Sequence, residues 1–461
     1  MRGNKFNRGG RNVFNRNLRS IKLSKILAAF AMSTILLISF QNCSAGFNAI
    51  GASGSTSSAS IAFSGNPSAE GLVQASNLQF LGGFRVPQGA NGDPNNLGFS
   101  YGGTAITYDP VENGIYMVGH PYHQLVGEIS IPPLVNSSTL SNLNTANMIQ
   151  NFADVTNGHL NNIGPGGSVY TGSVEIGGLM VFGDQLIGSD YAYYDGSGNG
   201  AVLSHFTNST TLSQYANFQG MYQVGTLNTG FVAGYMTQIP QEWQSLLGGP
   251  VLTGLGGIPI ISRSSEGPAA SVFDPSQFVS GGVTPATPVV GYPSTHPTLG
   301  AWDAKVVNLL FDMATAIRGV VFVQGTRTVL FFGTTGLGVP CYGIGTSDKS
   351  LVGTIVPGTP GEPYCYDPAA SSKGCHAYPY TEYVWAYDAN DFVAVKNGQK
   401  NMWDIVPYST WQLNLPITAL SHGVGGAAYD PATQTIYITS TNADPGGGYF
   451  AGPIVYAFKV Q

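Results

Sequence analysis

The 461-residue chain predicts an all-β fold assembled from repeated four-stranded units, and three observations lead there. Charged residues make up only 9% against 43% hydrophobic, with 63 glycines and 28 prolines, a composition that suits short strands joined by tight turns. The phrase GGTAITYDPVENGIYMVG (102–119) returns, two residues shorter, as GGAAYDPATQTIYITS (425–440). Between them stand GGLMVFGDQLIGSD (177–190), AGYMTQIP (233–240) and RGVVFVQGTRTVLFFGTTG (318–336), each an apolar strand with a small-residue pair that leads into a hairpin.

Residues 1–42 read as an export signal. No Asp or Glu precedes Cys43, eight basic residues lie between Arg2 and Lys25, and the apolar run ILAAFAMSTILLISF (26–40) follows. That run is shorter than the ~20 residues of a bilayer span, and no later segment is long and apolar enough, so the mature chain is expected to meet a membrane only through an anchor. Cys43, in SFQNCSAGF, resembles the acylated cysteine of a bacterial lipoprotein signal, although Gln41 and Asn42 stand where small residues are usual; an ordinary signal-peptidase cut is the alternative. In the enteric sorting rule that this resembles, an Asp at the next position retains the protein at the inner membrane. Ser44 therefore points to the outer membrane, with its periplasmic and surface sides both open. Cleavage leaves ten basic against 24 acidic residues, a formal charge of −14, which argues against nucleic acid as a partner. Residues 43–76, rich in Ser, Ala and Gly, predict a flexible tether, and 77–461 a monomeric folded body.

Within that body each hairpin is followed by a third run: VGEISIPP, AVLSHFTN, ASVFDPSQ, VWAYDAND and IVYAFKV. A fourth run follows the first four, NFADVT, GMYQVGTL, TPVVGYP and WDIVPYSTW, but the fifth repeat ends with the chain. The alternating strand NLQFLGGFRVP (77–87) precedes the first repeat and supplies the missing place. This is the arrangement of a β-propeller closed by pairing its two ends, with five blades favoured and six or seven also compatible with the irregular spacing. Gly103, Gly178, Gly234, Gly319 and Gly426 fall in register, where innermost strands would crowd an axis. Two segments predict helices outside the blades: PQEWQSLLGG (240–249) and AWDAKVVNLLFDMA (301–314). In architecture the body resembles exported bacterial β-propeller lipoproteins.

In a propeller, the loops entering the innermost strands share a face with those joining second to third strands, and that face usually binds. Register places Ser100, Tyr101, Glu175, Phe231, Arg318 and His422 in the first set. The second set holds His120, Tyr122, His123, Asp190, Tyr191, Tyr193, Tyr194, Asp195, Arg263 and Glu266, with His376, Tyr378, Tyr380, Asn442, Asp444 and Tyr449 completing the ring. Tyrosine faces beside arginines, amides and carboxylates suit sugars, whose C–H faces stack and whose hydroxyls need donors and acceptors. The expected ligand residues are Tyr101, His120, His123, Tyr191, Arg263, Arg318, His376, Tyr378 and His422. The longest such loop, 336–378, carries Cys341, Cys365 and Cys375; export permits a disulfide, and Cys341 with Cys365 is the expected pair.

The leading expectation is a lipid-anchored, non-catalytic binder of a glycan or another envelope polymer. A second is a glycosidic hydrolase using two of Glu175, Asp190 and Glu266, since five-bladed propellers of the furanosidase type resemble this layout with three acids about the axis. A third is a protein-binding scaffold in an envelope complex. Neither a metal nor a cofactor is expected. The loop histidines lack Cys or carboxylate at ligand spacing, DGSGNG (195–200) starts like a calcium loop but has Phe206 at its twelfth place, and no Walker or dinucleotide motif occurs. GFSYG (98–102) spells a nucleophile elbow, but a strand follows where that motif needs a helix.

Overall fold

Apolar runs separated by Gly, Asn and Asp pair with their sequence neighbours in the computed structural model, which describes residues 66–195, 200–255, 263–310, 312–447 and 450–461. After β1 (Leu78–Arg85) come β2 (Ile106–Asp109), β3 (Gly114–Val118), β4 (Val126–Ser130) and β5 (Met148–Ala153), an antiparallel meander. β6 (Val174–Phe182), β7 (Gln185–Ala192), β8 (His205–Ser209) and β9 (Gln219–Val224) form the second. The third joins β10 (Met236–Gln238), β11 (Val251–Gly254) and β12 (Ala270–Phe273). Next, the two-residue β13 (Val283–Thr284) adds in parallel to β9, and β14 (Ala286–Val290) completes the third sheet. β15 (Thr295–His296) and β16 (Gly300–Ala301) make a small hairpin.

The fourth meander opens with β17 (Ala316–Phe322) and β18 (Thr328–Gly336). It is interrupted by an insertion of three short strands, β19 (Cys341–Thr346), β20 (Tyr364–Tyr366) and β21 (Lys373–His376), before β22 (Tyr380–Asp388) and β23 (Ser409–Gln412) finish it. The last sheet holds β24 (Val424–Asp430), β25 (Thr435–Asp444) and β26 (Gly452–Val460). Its fourth place is filled by β1, antiparallel to β26 from Leu78↔Val460 to Arg85↔Ile454.

Burial follows the order of the sheets. One apolar cluster lies between the first and second sheets (Tyr116, Val118, Leu179, Leu186, Phe206), and a smaller one between the second and third (Met180, Ile187, Val251, Phe273). Others join third to fourth (Tyr235, Trp243, Phe331, Trp385), fourth to last (Val321, Phe332, Ile436, Tyr456) and last to first (Phe84, Ile115, Met117, Val455). The opening strands touch in the cyclic order β2, β6, β10, β17, β24 and back to β2. Glycine allows this approach: a Cβ at Gly178 would overlap the Gly234 carbonyl oxygen, and one at Gly319 would stand 2.5 Å from Ala427 Cβ.

Among the described residues two α-helices flank the sheets. α1 (Gln241–Leu247) falls within the expected segment and ends on Gly248 at φ +88°. α2 (Ala389–Lys396) was not expected, because its residues read as the tail of a strand; Asp388 caps it by accepting from Asn390 N. The helix expected over 301–314 is absent among the described residues. There the side chain of Asn308 accepts from Leu310 N, that of Asp312 accepts from Ala314 N, and the Leu309 carbonyl receives the Trp385 indole, so local turns and a distant donor replace the helical ladder. The signal, Cys43 and residues 44–65 of the tether lie outside the described residues, among which no helix is long and apolar enough to cross a membrane; within 66–76, Val73 is buried and its N–H donates to Thr328 Oγ1.

Candidate functional site

Antiparallel pairing puts the starts of β2, β6, β10, β17 and β24 at the same end of their sheets as the β3–β4, β7–β8, β11–β12, β18–β22 and β25–β26 connections. At that end, Glu175 in β6 is paired directly with Tyr191 in β7, which sets their side chains on one face. The Tyr191 hydroxyl donates to Glu175 Oε2 at 2.6 Å, and Arg318, near the start of β17, donates from Nη1 to the same hydroxyl at 3.2 Å. The guanidinium carbon lies 5.9 Å from the Tyr191 ring centroid. Burial pushes the Tyr191 phenol up, partly offset by Arg318 and reinforced by Glu175, so the hydroxyl stays protonated and acts as a donor. Just beyond, residues of all five opening strands, Arg318 and Gly426 among them, leave only about 10 Å³, no more than a water.

The aromatic neighbours reach solvent. Tyr193 is close enough to contribute to the raised pKa of Arg318, and Tyr194, 69% exposed, stands near Lys373 of the insertion. Lys373 pairs with Glu362 and lies over the Tyr342 ring at 5.9 Å. Tyr170 donates to the Tyr194 carbonyl, while Arg263 binds Asp195 at 2.6 Å.

The other acids proposed for hydrolysis sit differently. Asp190 and Glu266 are 0% and 1% exposed, and no side-chain oxygen of either has a hydrogen-bond partner among the described residues. Burial pushes Asp190 well above the usual carboxylate range and Glu266 to about 7. Glu266 shares its surroundings with Asp312, raised to about 6 by burial, and with the Cys375 thiol, raised to about 12 by burial and by those two acids. Asp190 instead feels Asp154.

The remaining predicted residues form separate groups. Tyr101, at φ +58° and 46% exposed, meets His120 edge-on, and His120 also contacts the rings of Tyr122 and His123. Burial, with His123 beside it, lowers the His120 pKa. His123 Nδ1 lies 3.2 Å from Asp93, whose carboxylate also accepts from three backbone N–H groups. His422, at φ +47°, holds the buried Glu382 at 2.9 Å. Inside the insertion, His376 and Tyr380 both bond Asp367, at 2.7 and 2.6 Å, and Tyr378 stands edge-on to Tyr366 and Tyr380. Cys341 and Cys365 are joined, as expected, and Cys375 is free. Among the described residues no three His, Cys, Asp or Glu side chains gather as metal ligands. Tyr449 lies outside the described residues.

Sequence reading missed Asp93, Asp312, Asp367 and Glu382. The side-chain partners of Asp93, Asp367 and Glu382 lie on other strands or loops, and Asp312 bonds its own turn, so no local pattern marks any of them as part of a site. It also missed a cavity of about 470 Å³ at the opposite end of the opening strands.

No protein-family model matches the chain, and no curated protein matches it in sequence. Among solved structures it is similar to a candidate glycoside hydrolase from Bacteroides ovatus, at 8% identity over 85% of this chain and 96% of that one, with a TM-score of 0.34. It is also similar to a glycosyl hydrolase from Bacteroides ovatus (9%; 84% and 93%; TM-score 0.33) and to a neuraminidase-like protein of A/little yellow-shouldered bat (9%; 78% and 95%; TM-score 0.28). Likenesses this faint carry no argument for fold or activity.

Proposed function

We propose that the five main sheets, four of four strands and one extended to five by β13, are the blades of a closed β-propeller, carried on a lipid anchor at Cys43 in the outer membrane, and that it binds a glycan or similar envelope polymer without cleaving it. The observation that carries this reading is the Glu175–Tyr191–Arg318 chain, with the exposed rings of Tyr193 and Tyr194 nearby. Glu175 and the Arg318 guanidinium, held in place by the buried Tyr191 hydroxyl between them, supply the acceptor and donors that hydroxyls need, and exposed tyrosine faces stack on sugar C–H surfaces. Binding is favoured over cleavage because glycosidic hydrolysis needs two carboxyl groups flanking the scissile bond, whereas Asp190 and Glu266 are enclosed.

The test is retention on a panel of immobilised polysaccharides, with released reducing ends measured in parallel. Retention without release is expected, weakened about tenfold or more by Arg318→Ala and less by Tyr193→Ala. Release of reducing ends that Glu175→Gln abolishes would establish the hydrolytic alternative instead. Failure on every glycan, with a protein recovered by crosslinking, would establish the scaffold.

A further inference from the structure

We propose that the end of the molecule opposite Arg318 holds a second site, for a small uncharged amphiphile with an apolar body and a neutral hydrogen-bond-donating end. The opening strands nearly close on one another near their starts, where about 10 Å³ remains, but spread toward their ends into the cavity of about 470 Å³. That volume lies within the range of small-molecule sites. Residues from all five opening strands line it, so every sheet contributes to one enclosure.

Much of its wall is apolar, with Met180, Met236, Val320, Phe322 and Ala427 all buried, and uncharged polar side chains, Thr107, Thr237 and four glutamines, complete it. Two thioethers let such a wall adapt to ligand shape. Among the described residues no charged side chain lines the cavity. Asp109 and Asp430, next to its mouth in sequence, are engaged by neighbours: Asp109 accepts from Val111 N and from the Tyr116 hydroxyl, and Asp430 from Ala432 N and the Thr433 hydroxyl. A charged ligand would therefore lose hydration without meeting a counter-charge.

The repeated phrase has its role here. Its two Tyr-Asp-Pro turns bring Tyr108 and Pro110, and Tyr429 and Pro431, to the cavity. Opposite them stand Gln238 and Gln244. Each ties its amide N–H down, to the Val181 and Ile239 carbonyls, and its Oε1 accepts no hydrogen bond among the described residues. Two oriented acceptors above apolar walls select a neutral donor such as an alcohol or an N–H.

The test uses the full folded chain and N-phenyl-naphthylamine, an uncharged fluorophore with one N–H. Saturable enhancement at one site is expected, displaced by decanol but not by decanoate or decylamine. Met180→Trp, which adds bulk to the cavity wall, and Gln238→Arg, an exposed change that obstructs its mouth, should each weaken binding about tenfold while glycan retention persists. Thermal melting identifies any variant that fails to fold, and Gln238→Arg then decides alone. Absence of saturable binding by the folded protein, equal displacement by decanoate, or binding unchanged in the folded variants would overturn the proposal.

Discussion

At the scale of single residues, the opening strands meet through glycines that have nowhere to yield. A methyl group at Gly178 would overlap the main chain of Gly234, so Gly178→Ala is expected to destabilise the fold by about 3 kcal/mol or more, read from denaturant unfolding. An equal loss from Gly71→Ala, where the Cβ position is open and φ is ordinary, would refute the crowding argument. Glu266 makes a different prediction. Its native pKa, about 7, lies above the ordinary 4.5, so the folded state holds the proton more tightly than the unfolded chain. Stability should then fall as pH rises from about 4.5 to about 7 and level off above, by at most about 3 kcal/mol from this group. Glu266→Gln, neutral at every pH, should flatten that part of the fall. Asp312 adds a smaller fall at lower pH, since its native pKa is about 6. Glu175, Tyr191 and Arg318 were each legible as members of a shared face, from their places in the repeats. Their hydrogen bonding to one another was not, because Arg318 lies 127 residues from Tyr191.

At the scale of elements, the insertion between β18 and β22 is held by few apolar contacts and by one covalent link. Cys341 and Cys365 are 24 residues apart, and closing such a loop contributes about 3 kcal/mol in the chain-entropy account. Replacing both by Ser should loosen the insertion and leave the sheets intact. Hydrogen exchange would show faster exchange across 341–376 with unchanged protection in β17 and β24; a global loss of protection would show that the insertion supports the whole fold. Strands were legible wherever period-two alternation lay between turn residues, as in β6 and β7. The helix expected over 301–314 was a misreading of an apolar run that the structure spends on turns around Asn308 and Asp312. α2 had its signals in the sequence, an Asp cap, a last-turn Lys and Gly398 just beyond, but they were masked by the strand that runs into it.

At the scale of the whole molecule, the first and last strands of the described residues meet in one sheet. β1 covers the edge of β26, and Arg85 at its end binds the buried Asp444 of β25 at 2.7 Å. Removing residues 66–85 should leave β26 an unpaired edge and Asp444 an unpaired buried charge, with loss of a single cooperative melting transition and aggregation on size-exclusion chromatography. A truncated chain that stays monomeric and melts cooperatively would show that closure is dispensable. The order of strands and the pairing of first strand to last were determined by the sequence itself, since alternation, turn residues and repeat length are local properties of the chain; the glycine register held in part, because Gly103 lies ahead of β2 with its Cβ position facing Pro453 and Thr439. Tertiary structure alone decided which acids face a partner and which are enclosed, that the opening strands nearly close beside Arg318, and that the repeated Tyr-Asp-Pro turns line a cavity. Those outcomes depend on contacts between residues far apart in the chain, for which no local pattern exists.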